Sequence, residues 1–261
     1  MNGTTKNFAA SIQTLRKVAL IGSSAAALLM LAVPAHASSL VVNGSFETTT
    51  AGAGQLGLNT NATGWTVLTP PGSYIFLYTP GTADTGGAAV GQYGINPLWG
   101  PGNGSANGLP ATSPDGGNFI AMDADFQTSA MTQSISGLTP GDTYAVSFYW
   151  AASQQEGFNG DTSQFLSVSL GAQTQTTPTF LLPSHGFSGW MSQTYDYTAT
   201  SGTETLSFLA GGSPAVPPFT LLDGVSMNDI TPTPEPGTLP LLFTGLMGGL
   251  TVLRSKKWLK R

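Results

Sequence analysis

The chain contains no cysteine in 261 residues. Disulfides, thiolate metal sites and cysteine nucleophiles are therefore excluded, and its fold must be held by hydrophobic burial or bound ions. Cations are almost as scarce. The 8 Lys and Arg residues all lie at or before Lys17 or at or after Arg254. Of the 13 acidic residues all but Glu235 fall between Ser38 and Ile230, which leaves twelve in a segment with no basic side chain. Nucleic acid is excluded as a partner of that segment, because neutralising phosphates takes Lys or Arg. Its carboxylates must instead be solvated, capped by backbone N–H groups or bound to a cation. Histidine is nearly absent too. His185 is the only one beyond the N-terminal region, too few for a His-rich zinc site, and it reads as an ordinary loop residue. No Gly-x-Ser-x-Gly elbow supports a Ser-His-Asp hydrolase.

Long apolar runs occur only at the two ends. Arg16 and Lys17 precede an apolar segment from Val18 to Val33, and Pro34-Ala35-His36-Ala37 supplies small residues where a signal peptidase reads. Residues 1–37 are thus expected to be a secretory signal peptide cleaved after Ala37; an N-terminal transmembrane helix is the alternative, against which the run is short. At the other end, Thr231-Pro232-Thr233-Pro234-Glu235-Pro236-Gly237 forms a spacer over 230–237 that alternating prolines keep extended. Residues 238–261 follow it as an apolar run from Leu239 to Leu253, loosened by Gly245, Gly248 and Gly249, and a basic end of Arg254, Lys256, Lys257, Lys260 and Arg261. The run falls short of the roughly 20 residues of a comfortable span, and the basic end should stay cytoplasmic. Pro234, Glu235 and Pro236 followed by such a helix and basic tail closely resemble the PEP-CTERM sorting signal of exported Gram-negative proteins. The resemblance implies processing by an exosortase near this motif. It also implies transient anchoring in the inner membrane, then release to the cell surface or extracellular matrix. A permanent C-terminal anchor is the simpler alternative.

Residues 38–229, about 200 with the spacer, suffice for one domain with a real core. Low charge, 8% of residues, with many Gly, Ser, Thr and aromatic residues points to an all-β fold. Candidate strands are Leu40–Phe46, Trp65–Leu68, Ser73–Tyr78, Phe119–Met122, Thr132–Ile135, Thr143–Ala152, Phe165–Leu170, Met191–Ala199, Thr203–Leu209 and Thr220–Met227. In Thr143–Ala152 the larger residues Tyr144, Val146, Phe148 and Trp150 alternate with smaller ones, which predicts one core-facing and one outward face. Thr79 to Gly117 is Gly-, Pro- and Ala-rich with little strand pattern, and a loop of that length is usually functional or mobile. The expectation is a single β-sandwich.

Leu40-Val41-Val42-Asn43-Gly44-Ser45-Phe46-Glu47 looks like the opening strand of galactose-binding-like jelly-roll modules, including several carbohydrate-binding families. Trp65, the Gly137–Tyr144 turn and Leu222-Asp223-Gly224-Val225-Ser226 fall in the same order as in those modules. The resemblance implies that the first and last strands lie side by side, with Glu47 and Asp223 helping to bind a structural Ca²⁺. Chemistry independent of the family agrees, since two carboxylates without a basic neighbour favour a hard cation. Two separate surface acids are the alternative. The segment Trp150-Ala151-Ala152-Ser153-Gln154-Gln155 also looks like a pattern recurrent among exported PEP-CTERM proteins.

Asp123 and Asp125, two apart, would share one strand face and could form a glycosidase pair, although a solvated strand end is the plainer reading. Glu156 to Asp161 reads as an acidic turn rather than a second cation site. Tyr93, Trp99, Phe158 and Trp190 lie in or beside loops and are the candidate platform on which sugar rings stack; folding back onto the core is the alternative. The expected function is that of a non-catalytic surface or matrix protein whose partner is extracellular polysaccharide or a neighbouring matrix protein. A secreted glycan hydrolase and a purely structural matrix protein are the competing readings.

Overall fold

The computed structural model describes residues 39–232. The signal peptide, the Pro234-Glu235-Pro236 motif and the apolar tail lie outside the described residues. Among the described residues no helix is long and apolar enough to cross a membrane.

Thirteen strands and one 3₁₀ turn make up the domain: β1 (Gly54–Gln55), β2 (Ile75–Tyr78), β3 (Val90–Gly91), β4 (Gly94–Ile95), the turn Pro101–Asn103, β5 (Phe119–Asp123), β6 (Met131–Ser136) and β7 (Thr143–Gln154), then β8 (Thr162–Leu170), β9 (Gln173–Thr176), β10 (Phe180–Leu182), β11 (Met191–Thr198), β12 (Thr203–Ser213) and β13 (Pro218–Asp229). Six strands form one sheet in the order β1-β2-β5-β13-β7-β11. A second sheet runs β10-β8-β12-β6, with β9 also paired to β8. All the ladders are antiparallel. From β5 to β8 and again from β10 to β13, the chain alternates between the sheets, the crossing pattern of a jelly-roll-type sandwich. The fold is all-β.

The main core lies between the sheets. Period-two alternation sends Tyr144, Val146, Phe148 and Trp150 of β7 inward, against Leu166, Val168 and Leu170 of β8 and Leu206 and Phe208 of β12. β13 carries a register shift between Asp223 and Ser226, with Gly224 at φ +59°. The bulge keeps both Leu222 and Val225 on the core side although three positions separate them.

Leu40–Phe46 is not a strand. Asn43 and Phe46 have φ of +53° and +55°, which extended backbone cannot accommodate. The segment still runs beside β13, with Leu40 N–H donating to the Met227 carbonyl and Val225 N–H to the Gly44 carbonyl. A Cβ on Gly44 would lie 1.8 Å from the Val225 oxygen, so this close approach requires glycine. The Gln133 side chain takes the place of a ladder neighbour, bonding Val42 at both N–H and carbonyl, each at 2.8 Å. Trp65–Leu68 likewise reduces to one bridge, Thr66 to Thr132. Trp65 packs against Phe46 and Phe208 and donates its ring N–H to the Asn43 carbonyl.

Residues 79–117 cover the outer face of the larger sheet and build a second core there. Tyr74, Phe76, Phe119, Ala121, Phe219 and Leu221 form that face, and Ala83, Ala88, Ala89, Leu98 and Leu109 of the loop pack on it. Alternation in β2, β5 and β13 therefore buries large residues on both faces. The glycines and alanines of the loop are the small residues that let irregular backbone lie close to a layer of rings.

Candidate functional site

Tyr93, Phe126 and Phe158 are 62%, 56% and 40% exposed, and they come from three separate loops. All three line one cleft of about 380 Å³ with Tyr74 (4% exposed), Gln155, Ala215 and Pro217. That volume lies within the range of small-ligand sites, about 300–1,000 Å³. Tyr74 touches Tyr93 and Phe126 at centroid distances of 5.7 and 6.3 Å, and those two rings are 6.1 Å apart. Phe76 and Phe219 of the second core support Tyr74 at 4.5 and 5.9 Å. Burial, with the Asp123 charge second, pushes the Tyr74 hydroxyl up to about 12, so it stays a neutral phenol.

Each wall is pinned by amide side chains. Tyr93 sits in the β3–β4 connection, where Gln92 N–H donates to Gln55 Oε1 at 2.8 Å. Gln92 Nε2 donates to Gln127 Oε1 at 2.6 Å, and Gln127 Nε2 donates to the Tyr93 hydroxyl at 3.0 Å. The turn bearing Phe126 is held by Asp123, whose carboxylate accepts the N–H groups of Asp125, Phe126 and Gln127 at 3.0–3.1 Å. Burial nevertheless raises the Asp123 carboxyl above its usual range, the three N–H bonds working against that rise. Asp123 is 1% exposed while Asp125 is exposed, so the two do not face a common substrate as a glycosidase pair would.

Phe158 is set by Gln154 and Trp99. Gln154 is fully buried; its Nε2 donates to the carbonyls of Gly160 (3.1 Å) and Val216 (3.0 Å), and its Oε1 accepts from His185 N–H at 2.7 Å. One amide thus ties together the loops carrying Phe158, Ala215 and His185. Trp99 stacks on His185 at 3.9 Å and donates its ring N–H to the Phe158 carbonyl at 2.9 Å. His185 Nε2 lies 2.7 Å from Asn159 Oδ1. At the far end of the acidic turn, Asp161 Oδ1 accepts the Ser184 N–H.

Of the four aromatic residues singled out by sequence, the structure brings Tyr93 and Phe158 into the cleft. Trp99 stands behind Phe158 as its support. Trp190 packs against Phe119 and Phe187, beside the second core. Sequence reasoning missed Tyr74 and Phe126. Tyr74 belongs to an apparently core-facing strand run. Phe126, between Asp125 and Gln127, carries no signal besides its unaccountable exposure in a turn.

Glu47 and Asp223 also approach one another. Asp223 is fully buried. Its Oδ2 accepts from the Ser113 hydroxyl, and its Oδ1 has no hydrogen-bond partner. Burial pushes the carboxyl up to about 8, with smaller contributions from the charges of Asp115 and Glu47. Glu47 accepts the Asn118 N–H at 2.6 Å. An orphaned buried carboxylate oxygen facing like charges fits a bound cation. Among the described residues, however, no three His, Asp or Glu side chains gather as a metal-ligating group. An ion here would take most of its oxygens from backbone carbonyls and water.

No family model matches the chain, and no curated protein is detectably similar to it in sequence. Solved structures with some likeness include a family 61 carbohydrate-binding module in complex with β-1,4-galactotriose, at 12% identity and TM-score 0.41, covering 74% of this chain and 99% of that one. The CBM22-1 xylan-binding domain from Paenibacillus barcinonensis Xyn10C matches at 11% and 0.37, covering 75% and 96%. An adhesin domain of Lys-gingipain from Porphyromonas gingivalis matches at 12% and 0.38, covering 72% and 98%. Values this low assign no family, and the reading of the site comes from its own side chains.

Proposed function

We propose that the domain is a non-catalytic polysaccharide-binding module whose ligand stacks in the Tyr93–Phe126–Phe158 cleft. The observation that carries this is the convergence of three exposed rings from separate loops on one cleft with a buried tyrosine at its base. Isolated exposed aromatics are ordinary, but a cluster held in place by buried amides is costly unless it binds something. Sugar rings offer apolar C–H faces to such surfaces. A purely structural matrix protein has no need of the cluster. Against the hydrolase reading, the carboxyl that burial raises furthest, that of Asp223, is sealed from substrate. Affinity electrophoresis in gels containing soluble polysaccharides tests the proposal. Phe158→Ala should weaken retention by about 1–2 kcal/mol without changing the melting temperature. Equal retention of the variant and the parent in every gel would sink it.

The reading extends to delivery and to Ca²⁺. The resemblance of the tail to a PEP-CTERM signal supports export through the inner membrane, with signal peptidase and an exosortase trimming the ends. Intact mass of native material should then begin at Ser38 and stop near Pro234-Glu235-Pro236. A mature chain that retains Lys260 and Arg261 contradicts processing. Glu47 and Asp223 would hold Ca²⁺ against the last strand; the ion would neutralise their charge and staple residues 40–47 to β13.

A further inference from the structure

We infer that the aromatic cleft selects uncharged glycans and rejects those bearing carboxylate or sulfate groups, an inference that rests on the polysaccharide-binding reading. The described residues contain neither Lys nor Arg. Their one histidine, His185, is committed to Trp99 and Asn159 and does not line the cleft. Among the described residues no cation is therefore placed to receive an anionic sugar.

No charged residue lines the cleft, and those next to its lining residues in the chain are all acidic. Asp123 lies close enough to Tyr74 for its charge to act on that hydroxyl. Asp125 directly precedes Phe126, and Glu156 directly follows Gln155. A uronate or sulfate ester entering between the rings would give up hydration for no counter-charge while meeting like charges at the rim. The polar groups available for orientation are the Gln155 amide and the phenols of Tyr93 and Tyr74, which suit sugar hydroxyls. Neutral pyranose rings lose little on entering. Anionic ones lose twice, through desolvation and through repulsion. Aromatic stacking alone would not discriminate, because the C–H faces of a neutral sugar and its uronic acid are alike. Selection comes from the charge around the rings.

The test uses one polymer in two charge states. Residues 38–230, which hold both cores and none of the eight Lys and Arg, are assayed by affinity electrophoresis against soluble glucan, galactan and mannan. The best-retained polymer is then oxidised at its primary alcohols to carboxylates, which leaves the backbone unchanged. Binding to the oxidised polymer should fall about tenfold or more at low salt and recover partly at high salt as the repulsion is screened. Asp125→Asn combined with Glu156→Gln should narrow the gap between the two polymers, which separates charge from bulk. Equal or tighter binding of the oxidised polymer, or a gap that neither salt nor the double substitution alters, overturns the selectivity and leaves the glycan-binding reading standing. Retention by none of the neutral polymers overturns both.

Discussion

Asp223 shows what the scarcity of cations does to a single residue. With no Lys or Arg among the described residues, a carboxyl buried at the β13 bulge meets the Ser113 hydroxyl, the Gly224 backbone and its acidic neighbours. A carboxyl near 8 in the folded chain and near 3.9 in the unfolded one holds its proton more tightly when folded. Between about pH 4 and pH 8, unfolding therefore releases that proton, and raising the pH favours the unfolded chain. The Asp123 carboxyl is raised as well and acts in the same direction. In chelator, the melting temperature should fall as the pH is taken from 5 to 8. Millimolar Ca²⁺ should remove most of that fall, since an ion bound only by the folded state adds RT ln(1 + [L]/Kd) where a proton would otherwise be needed. Asp223→Asn, a mimic of the protonated group, should make melting nearly indifferent to chelator and leave only the smaller fall with pH that Asp123 causes. Identical melting with Ca²⁺ and with chelator at pH 8 would dismiss the ion. The sequence made Glu47 and Asp223 visible as unpaired acids. It could not show that Glu47 sits in irregular backbone, because the left-handed conformations of Asn43 and Phe46 are paid for by long-range contacts.

At the scale of elements, Trp150 to Gln155 is the segment on which both cores and the cleft depend. Trp150 faces the main core, Ala151 the second core, and Gln155 the cleft, while Gln154 holds three loops. Gln154→Ala would leave two carbonyls and one N–H without partners, at a cost of about 2 kcal/mol. Glycan retention should fall along with the denaturation midpoint, because the Phe158 loop loses its tie. Unchanged retention would mean that Trp99 alone positions Phe158. The strands legible in the sequence, from Ser73–Tyr78 through Thr220–Met227, were short runs bounded by turn signals, with Thr143–Ala152 the clearest for its alternation. The short, polar β9 and the three-residue β10 did not stand out in this way. They form because β8 presents an open edge, and Gln173 and Gln175 of β9 cap carbonyls of the edge strand β11. The loop 79–117 misled for a related reason. It read as functional or mobile; it does carry Tyr93 of the cleft, but its small residues pack against rings that lie far away in sequence.

For the whole molecule, two layers became three: a sheet pair with its own core, and a loop layer over the larger sheet that carries part of the cleft. The sandwich followed from local patterns. The cleft did not, since Tyr74, Tyr93, Phe126 and Phe158 meet only through tertiary packing. A trough of about 470 Å³ on the same sheet, lined in part by Ser147, Thr194 and Ser226, is a second concave surface where a sugar chain could lie. Crystals of the domain soaked with an oligosaccharide cut from the best-retained neutral polymer decide between them. Sugar rings should stack on Phe158 and Tyr93, with the Gln155 amide bonded to a hydroxyl. Sugar bound along the Ser147–Thr194–Ser226 trough, with the aromatic cleft left empty, would contradict it.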